Sequence, residues 1–241
     1  NSTLAVGGSG AGVGKLTQTA GSLVGLAGTN LISAGLTLQG GKLDIQSGIT
    51  SLSGTNSIQT GVQVTSTGAA TGTLAIAGGA TTVNSGATYA LPTTNVSAGT
   101  LTFNNSATIG TLALSGTGTV NGTGNLTVTT DFSKAALATF GDPLHVSNFT
   151  NLDLTSNGTF TVDAAGFQAG NSVALHSTTG GITLNGTVTA GGTTGTTIVL
   201  DAKTSFVNNA GASLLTAGAG RFLVWSANPD PFGVVTPDNR G

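Results

Sequence analysis

The sequence predicts an all-β fold, a right-handed parallel β-helix whose degenerate coils take roughly 20 residues each. Three observations predict it. Short apolar–x–apolar triplets recur along the chain, Gly or Asn punctuates the gaps between them, and residues with strong helix preference are scarce. Leu36-Thr37-Leu38, Leu43-Asp44-Ile45, Leu74-Ala75-Ile76, Leu126-Thr127-Val128 and Ile182-Thr183-Leu184 show the pattern. Alternation with a period of two puts the outer pair of each triplet on one face and the middle residue on the other. The outer pair is expected to point into a core and the middle residue outward.

Gly accounts for 40 of 241 residues without the every-third-residue spacing of collagen. Its expected place is between strands, where the chain turns. Asn121-Gly122, Asn157-Gly158, Asn185-Gly186 and Gly78-Gly79 are read as such turns. Asn-Gly also suits hairpins. Against a hairpin sandwich stand the brevity of the triplets and the shortage of aromatic residues, 9 Phe, 1 Trp and 1 Tyr. A narrow coil of stacked Leu, Val, Ile and Ala accommodates both.

Residues 1–226 read as the β-helical shaft, with the first 35 or so less regular than the rest. Residues 131–151, with Phe132, Phe140, Asp142-Pro143 and Phe149, read as a coil carrying a larger loop. Residues 227–241 read as a Pro-rich linker, because Pro lacks the backbone donor that a ladder uses.

Composition narrows the function classes. Charged residues are 6% of the chain, all eight acidic residues are Asp, and the formal net charge is −2. No basic patch is present to attract nucleic acid. Cys is absent, so a disulfide scaffold is excluded. No apolar run approaches the ~18 residues of a membrane-spanning helix, and Asn1-Ser2-Thr3 opens directly into Gly-rich sequence, so that for an exported protein the targeting segment is expected outside these residues.

The chemistry-bearing inventory is thin. Gly10-Ala11-Gly12-Val13-Gly14-Lys15-Leu16-Thr17 approaches a phosphate-binding loop. It fails at Ser9, where Gly is needed, and at Leu16, where Ser or Thr is needed. His145 and His176 are the only histidines, which falls short of a metal-ligand set and suits exposed or loop positions. Asp44, Asp131, Asp142, Asp153, Asp163 and Asp201 occur singly, without the paired carboxylates of glycoside hydrolysis. The reading is therefore no enzyme, with no catalytic, cofactor or metal residue assigned. Thr-x-Thr pairs such as Thr65/Thr67, Thr127/Thr129 and Thr187/Thr189 resemble ice-binding solenoids. Their intervals are uneven, and Thr also serves as an ordinary outward strand residue. Asn95, Asn104, Asn121, Asn125, Asn148, Asn157 and Asn185 begin Asn-x-Ser/Thr sequons.

The run Gly220-Arg221-Phe222-Leu223-Val224-Trp225-Ser226-Ala227-Asn228-Pro229 resembles a signature of filamentous-haemagglutinin-like bacterial exoproteins. The resemblance implies the close of a β-helical shaft in a secreted or surface-exposed adhesin. It also implies export through an outer-membrane partner by two-partner secretion and a role in adhesion or biofilm. No match to that family's Asn-Pro-Asn-Gly-Ile-type secretion motif is present, and no catalytic residue carries over. The expected function is a rigid structural spacer that self-associates into fibres. The alternative is a solenoid that itself binds host or matrix glycan or protein, and a polysaccharide-active β-helix enzyme ranks below both.

Overall fold

The structure is a computed structural model. It describes residues 3–6, 16–18, 23–33, 35–67, 72–134, 145–209, 211 and 215–227. Among them there are strands and turns but no helix. The strands pair in parallel, with coils of about 21 residues, so the fold is a β-solenoid. Parallel pairing removes the hairpin alternative, since a two-residue Asn-Gly turn joins only antiparallel neighbours. The chain divides into two compact units, residues 1–124 with 133–135 and residues 125–132 with 136–241.

The first unit has three columns of strands. One runs through Thr29–Ile32, Ile49–Leu52, and the stretches 73–76, 93–96 and 111–114. A second runs through Leu36–Leu38, Thr55–Ile58, 80–83, 100–103 and Thr119–Gly122. The third contains Leu23–Leu26, Lys42–Ile45, Gln63–Thr65, 88–90 and 107–109. The apolar triplets thus become successive rungs. Ile32, Leu52, Ile76, Val96 and Leu114 lie in register in the first column, and all are buried. Full burial of such a side chain contributes about 1.5–3 kcal/mol.

Some triplets are not separate strands. Thr73–Val83 and Thr88–Phe103 are continuous and turn corners within a strand. The corner of Thr73–Val83 is a register shift between Ile76 and Ala80, where the expected turn Gly78-Gly79 falls. Gly79 has a φ of +67°, and a Cβ there would lie 2.0 Å from the Gly54 carbonyl oxygen of the coil before. One coil later a Cβ on Gly99 would meet the Gly79 oxygen at 2.2 Å. The coils approach closely at this corner, and only Gly has both the dihedral freedom and the absence of a side chain to fit. Asn121-Gly122, by contrast, makes no turn. It ends the strand Thr119–Gly122, and Gly122 faces inward in register with Phe103.

The core also holds polar side chains. Asn30 Nδ2 donates to Thr50 Oγ1 of the next coil at 3.3 Å. Asn56 Oδ1 accepts from the Leu36 backbone N–H at 2.9 Å, and Asn56 Nδ2 donates to Thr81 Oγ1 at 2.9 Å. The Tyr89 and Thr94 hydroxyls are 2.8 Å apart, and burial pushes the Tyr89 phenol well above its usual range despite that bond. These groups occupy inward positions and satisfy each other, the Asn side chains between coils and the Tyr89–Thr94 pair within one, which is what makes their burial tolerable.

The second unit repeats the plan. The stretch 125–132 with Asn151–Ser156, Ser172–Ser177, Thr196–Ala202 and Arg221–Ser226 forms one column. Phe160–Val162, Ile182–Leu184 and Phe206–Asn208 form another, and Phe167–Ala169, Val188–Ala190 and Leu215–Thr216 a third. Phe132 stacks on Phe160 with centroids 5.7 Å apart, and Phe167 meets both rings edge-on. Within the interval read as a larger loop, residues 131–134 belong to a strand and Phe149 is buried; 135–144 lie outside the described residues. So do Asn228–Gly241 and much of the first 35 residues.

Candidate functional site

The outward side chains of the second unit's longest column form two rows. One is Asp153, Ala174, Val199, Leu223, and the other is Thr155, His176, Asp201, Trp225. His176 bridges them. Its Nε2 is 3.4 Å from Asp153 Oδ1 and its Nδ1 is 3.5 Å from Asp201 Oδ2. His176 lies on a strand and is partly covered, which corrects the exposed or loop position expected for it. The acidic partners are 23 and 25 positions away in sequence, one on each neighbouring coil, so no local motif announces them.

The side chains of Asp153 and Asp201 are 53% and 57% exposed, so their pairing with His176 is worth at most about 1 kcal/mol. The imidazole presents opposite nitrogens to the two carboxylates, and no group of three His, Cys, Asp or Glu suited to a metal ion occurs among the described residues. Beyond Asp201 the row ends on Trp225, 60% exposed, with Leu223 beside it. His145 sits at a bend just before the strand Val146–Ser147, a loop position as expected, but it is buried rather than exposed.

Amides line the same unit. Asn151 Nδ2 donates to Asn125 Oδ1 and Asn171 Nδ2 donates to Asn151 Oδ1, each at 2.8 Å. Asn209 Nδ2 donates to Asn185 Oδ1 at 2.9 Å. Such ladders repeat from coil to coil and rigidify the surface. The sequon residues Asn104, Asn125, Asn148, Asn157 and Asn185 are exposed, and Asn95 and Asn121 are half-exposed.

In the first unit, Asp44 is the middle residue of its triplet and was expected outside. It is only 3% exposed, because the segment after Thr65 covers it. Its carboxylate accepts from the Thr67 backbone N–H at 2.8 Å, from the Thr67 hydroxyl and from Gln46 Nε2 at 3.3 Å. Desolvation pushes its pKa up. The Thr67 and Gln46 hydrogen bonds and the Lys42 charge outweigh that, so it sits below the ordinary Asp value. A depressed folded-state pKa stabilises the fold above the unfolded-state value and loses that contribution as pH falls through the folded one. The stability advantage of the wild type over Asp44→Asn should therefore hold from neutral pH down to about pH 4 and shrink below it. Urea midpoints measured across that range check this; a gap unchanged at low pH would contradict it.

The phosphate-loop-like segment gains no support. Residues 10–15 lie outside the described residues, and Leu16–Gln18 is a strand where that motif has a helix. Asp142, Asp230 and Asp238 also lie outside the described residues.

The molecule belongs to the class of β-solenoid proteins, as its coils and parallel ladders define. No protein-family profile, curated protein or solved structure matches the chain.

Proposed function

We propose that this chain is a structural spacer in a secreted or surface-exposed bacterial adhesin or filament, of the filamentous-haemagglutinin-like kind. The observation that supports this most is the stacking itself. Each coil hydrogen-bonds to the next through parallel ladders, so length grows by adding coils while the cross-section is kept. The segment resembling that family's signature, Arg221–Ser226, forms the last described rung of its column. Low charge and outward Thr, Ser and Asn suit a surface whose task is to remain inert. In this reading the parent protein leaves the cell through an outer-membrane partner, and the chain self-associates into fibres.

The test replaces residues 1–226 in the parent protein with an unrelated solenoid of equal length. Deletion should reduce cell adhesion and the length-matched replacement should restore it. If the replacement is correctly displayed and adhesion stays lost, the spacer reading fails.

A second reading, that the surface itself binds glycan, is favoured by Trp225. An exposed indole beside Asp201 and Leu223, in the row that also holds His176, offers a stacking plane next to hydroxyl-binding groups. Trp225 is the only tryptophan, so its emission reports directly. Titration with soluble oligosaccharides should shift its emission, and Trp225→Ala should abolish retention on immobilised glycans. No shift with any oligosaccharide tested, together with unchanged retention, removes this reading.

A further inference from the structure

The second column of the first unit carries a regular grid of outward side chains. Thr55, Ala80, Thr100 and Thr119 are mutually in register on four successive coils. Two residues along each strand, Ser57, Thr82, Thr102 and Asn121 form a second row, also in register. The residues between them, Asn56, Thr81, Leu101 and Val120, point inward and are buried. Six of the eight grid positions are hydroxyl-bearing, one is a methyl, one an amide and none is charged.

Thr55, Ala80, Thr100 and Thr119 are 25, 20 and 19 positions apart. This is the unevenness that argues against a lattice in the bare sequence. The structure absorbs it outside the paired stretches, as at the Gly78-Gly79 corner, and the rows stay aligned. Of the Thr-x-Thr pairs in the sequence, Thr100/Thr102 lies wholly on the grid and Thr117/Thr119 reaches it through Thr119; the relation of these residues to the other grid positions appears only on folding.

Rungs of a parallel sheet are about 4.8 Å apart and alternate residues along a strand about 6.6 Å apart. The grid therefore repeats in two dimensions, close to the oxygen spacings of hexagonal ice. A soluble glycan or peptide repeats in one dimension only; a crystalline surface repeats in two. Each Thr also pairs a hydroxyl, which anchors a water, with a methyl, which orders waters around it without holding one. A charged side chain would keep its own hydration shell and break that order. The third column makes the contrast, since its outward rows include the charged Lys42 and the amide of Gln63. Internal bonds restrain several of the grid side chains. The Thr100 and Thr119 hydroxyls are 3.0 Å apart, and Asn84 Nδ2 donates to Ser57 Oγ at 3.3 Å. Less ordering is then needed when a surface is met.

We propose that this face binds ice, through ordered water held on the hydroxyl–methyl grid. The spacer reading above neither requires nor supplies this activity.

The test is partition of the purified chain into slowly growing ice, alongside inhibition of ice recrystallisation. The wild type should enter the ice and keep crystals small. Thr82→Tyr and Thr102→Tyr, each placing a ring in the middle of the grid, should lose both effects. Thr108→Tyr, on an exposed position of the third column, should keep them. Circular dichroism establishes that each variant is folded, and Thr102→Val, which keeps the shape and loses only the hydroxyl, should weaken the effect. Exclusion of the wild type from ice, or equal activity of the folded grid variants, overturns the proposal. Retention on crystalline cellulose with no effect on ice also overturns it, because the grid would then belong to a polysaccharide surface.

Discussion

Gly79→Val should destabilise the first unit by roughly 3–6 kcal/mol, from backbone strain and overpacking together. Two causes act at one atom. The φ of +67° is costly for a residue with a Cβ, and that Cβ would sit 2.0 Å from the Gly54 oxygen and 2.7 Å from the Gly54 nitrogen. The obstacle is backbone on the adjacent rung, so no rotamer relieves it. Relief would need the two coils to part, breaking the bond from the Ala80 N–H to that same oxygen. Gly61 provides the control, because its φ is +82° but a Cβ there meets nothing within 4 Å. Gly61→Ala should cost only the dihedral penalty, about 1–2 kcal/mol. Urea denaturation followed by far-UV circular dichroism separates the two variants. Equal midpoints would mean that the coils do not approach each other at this corner.

Phe160→Ala should cost the second unit about 3–5 kcal/mol. Phe160 is buried, stacks on Phe132, meets Phe167 edge-on and heads the inward column that continues through Ile182 and Phe206. A solenoid coil is narrow, and its neighbours are fixed by ladders on either side, so the space left by a ring closes poorly. Leu223→Ala, an outward residue of the same unit, should change stability by no more than about 0.5 kcal/mol. The comparison reads the inward and outward assignment directly, and a larger effect at Leu223 than at Phe160 would reverse it.

What the sequence disclosed followed from local pattern. Leu74-Ala75-Ile76 and Ile182-Thr183-Leu184 were legible as inward pairs because a period of two needs only three residues. Pairing partners were not legible, because they lie 18 to 27 positions away and the interval changes from coil to coil. The same limit hid Asp153 and Asp201 from His176, and Thr82 from Thr102. Inward polarity was missed for a different reason. Asn56 and Thr81 sit where an apolar residue is expected, and their fitness depends on one another and on the Leu36 N–H, none of which adjoins them in sequence. Asp44 was placed outside by alternation. That placement holds for the strand, yet Thr67 covers the carboxylate.

The ladders within each unit carry one more consequence, for a chain under load. Their hydrogen bonds run along the direction in which coils stack, so a pull along that direction strains one rung at a time rather than many in shear. The end coil detaches first and hands the force to the next. Each coil of about 21 residues occupies roughly 4.8 Å of stack but yields roughly 70 Å of extended strand. A segment that is stiff at rest thus stores slack many times its own height. Under sustained flow it would pay out length in equal steps before any covalent bond or attachment at its ends was threatened.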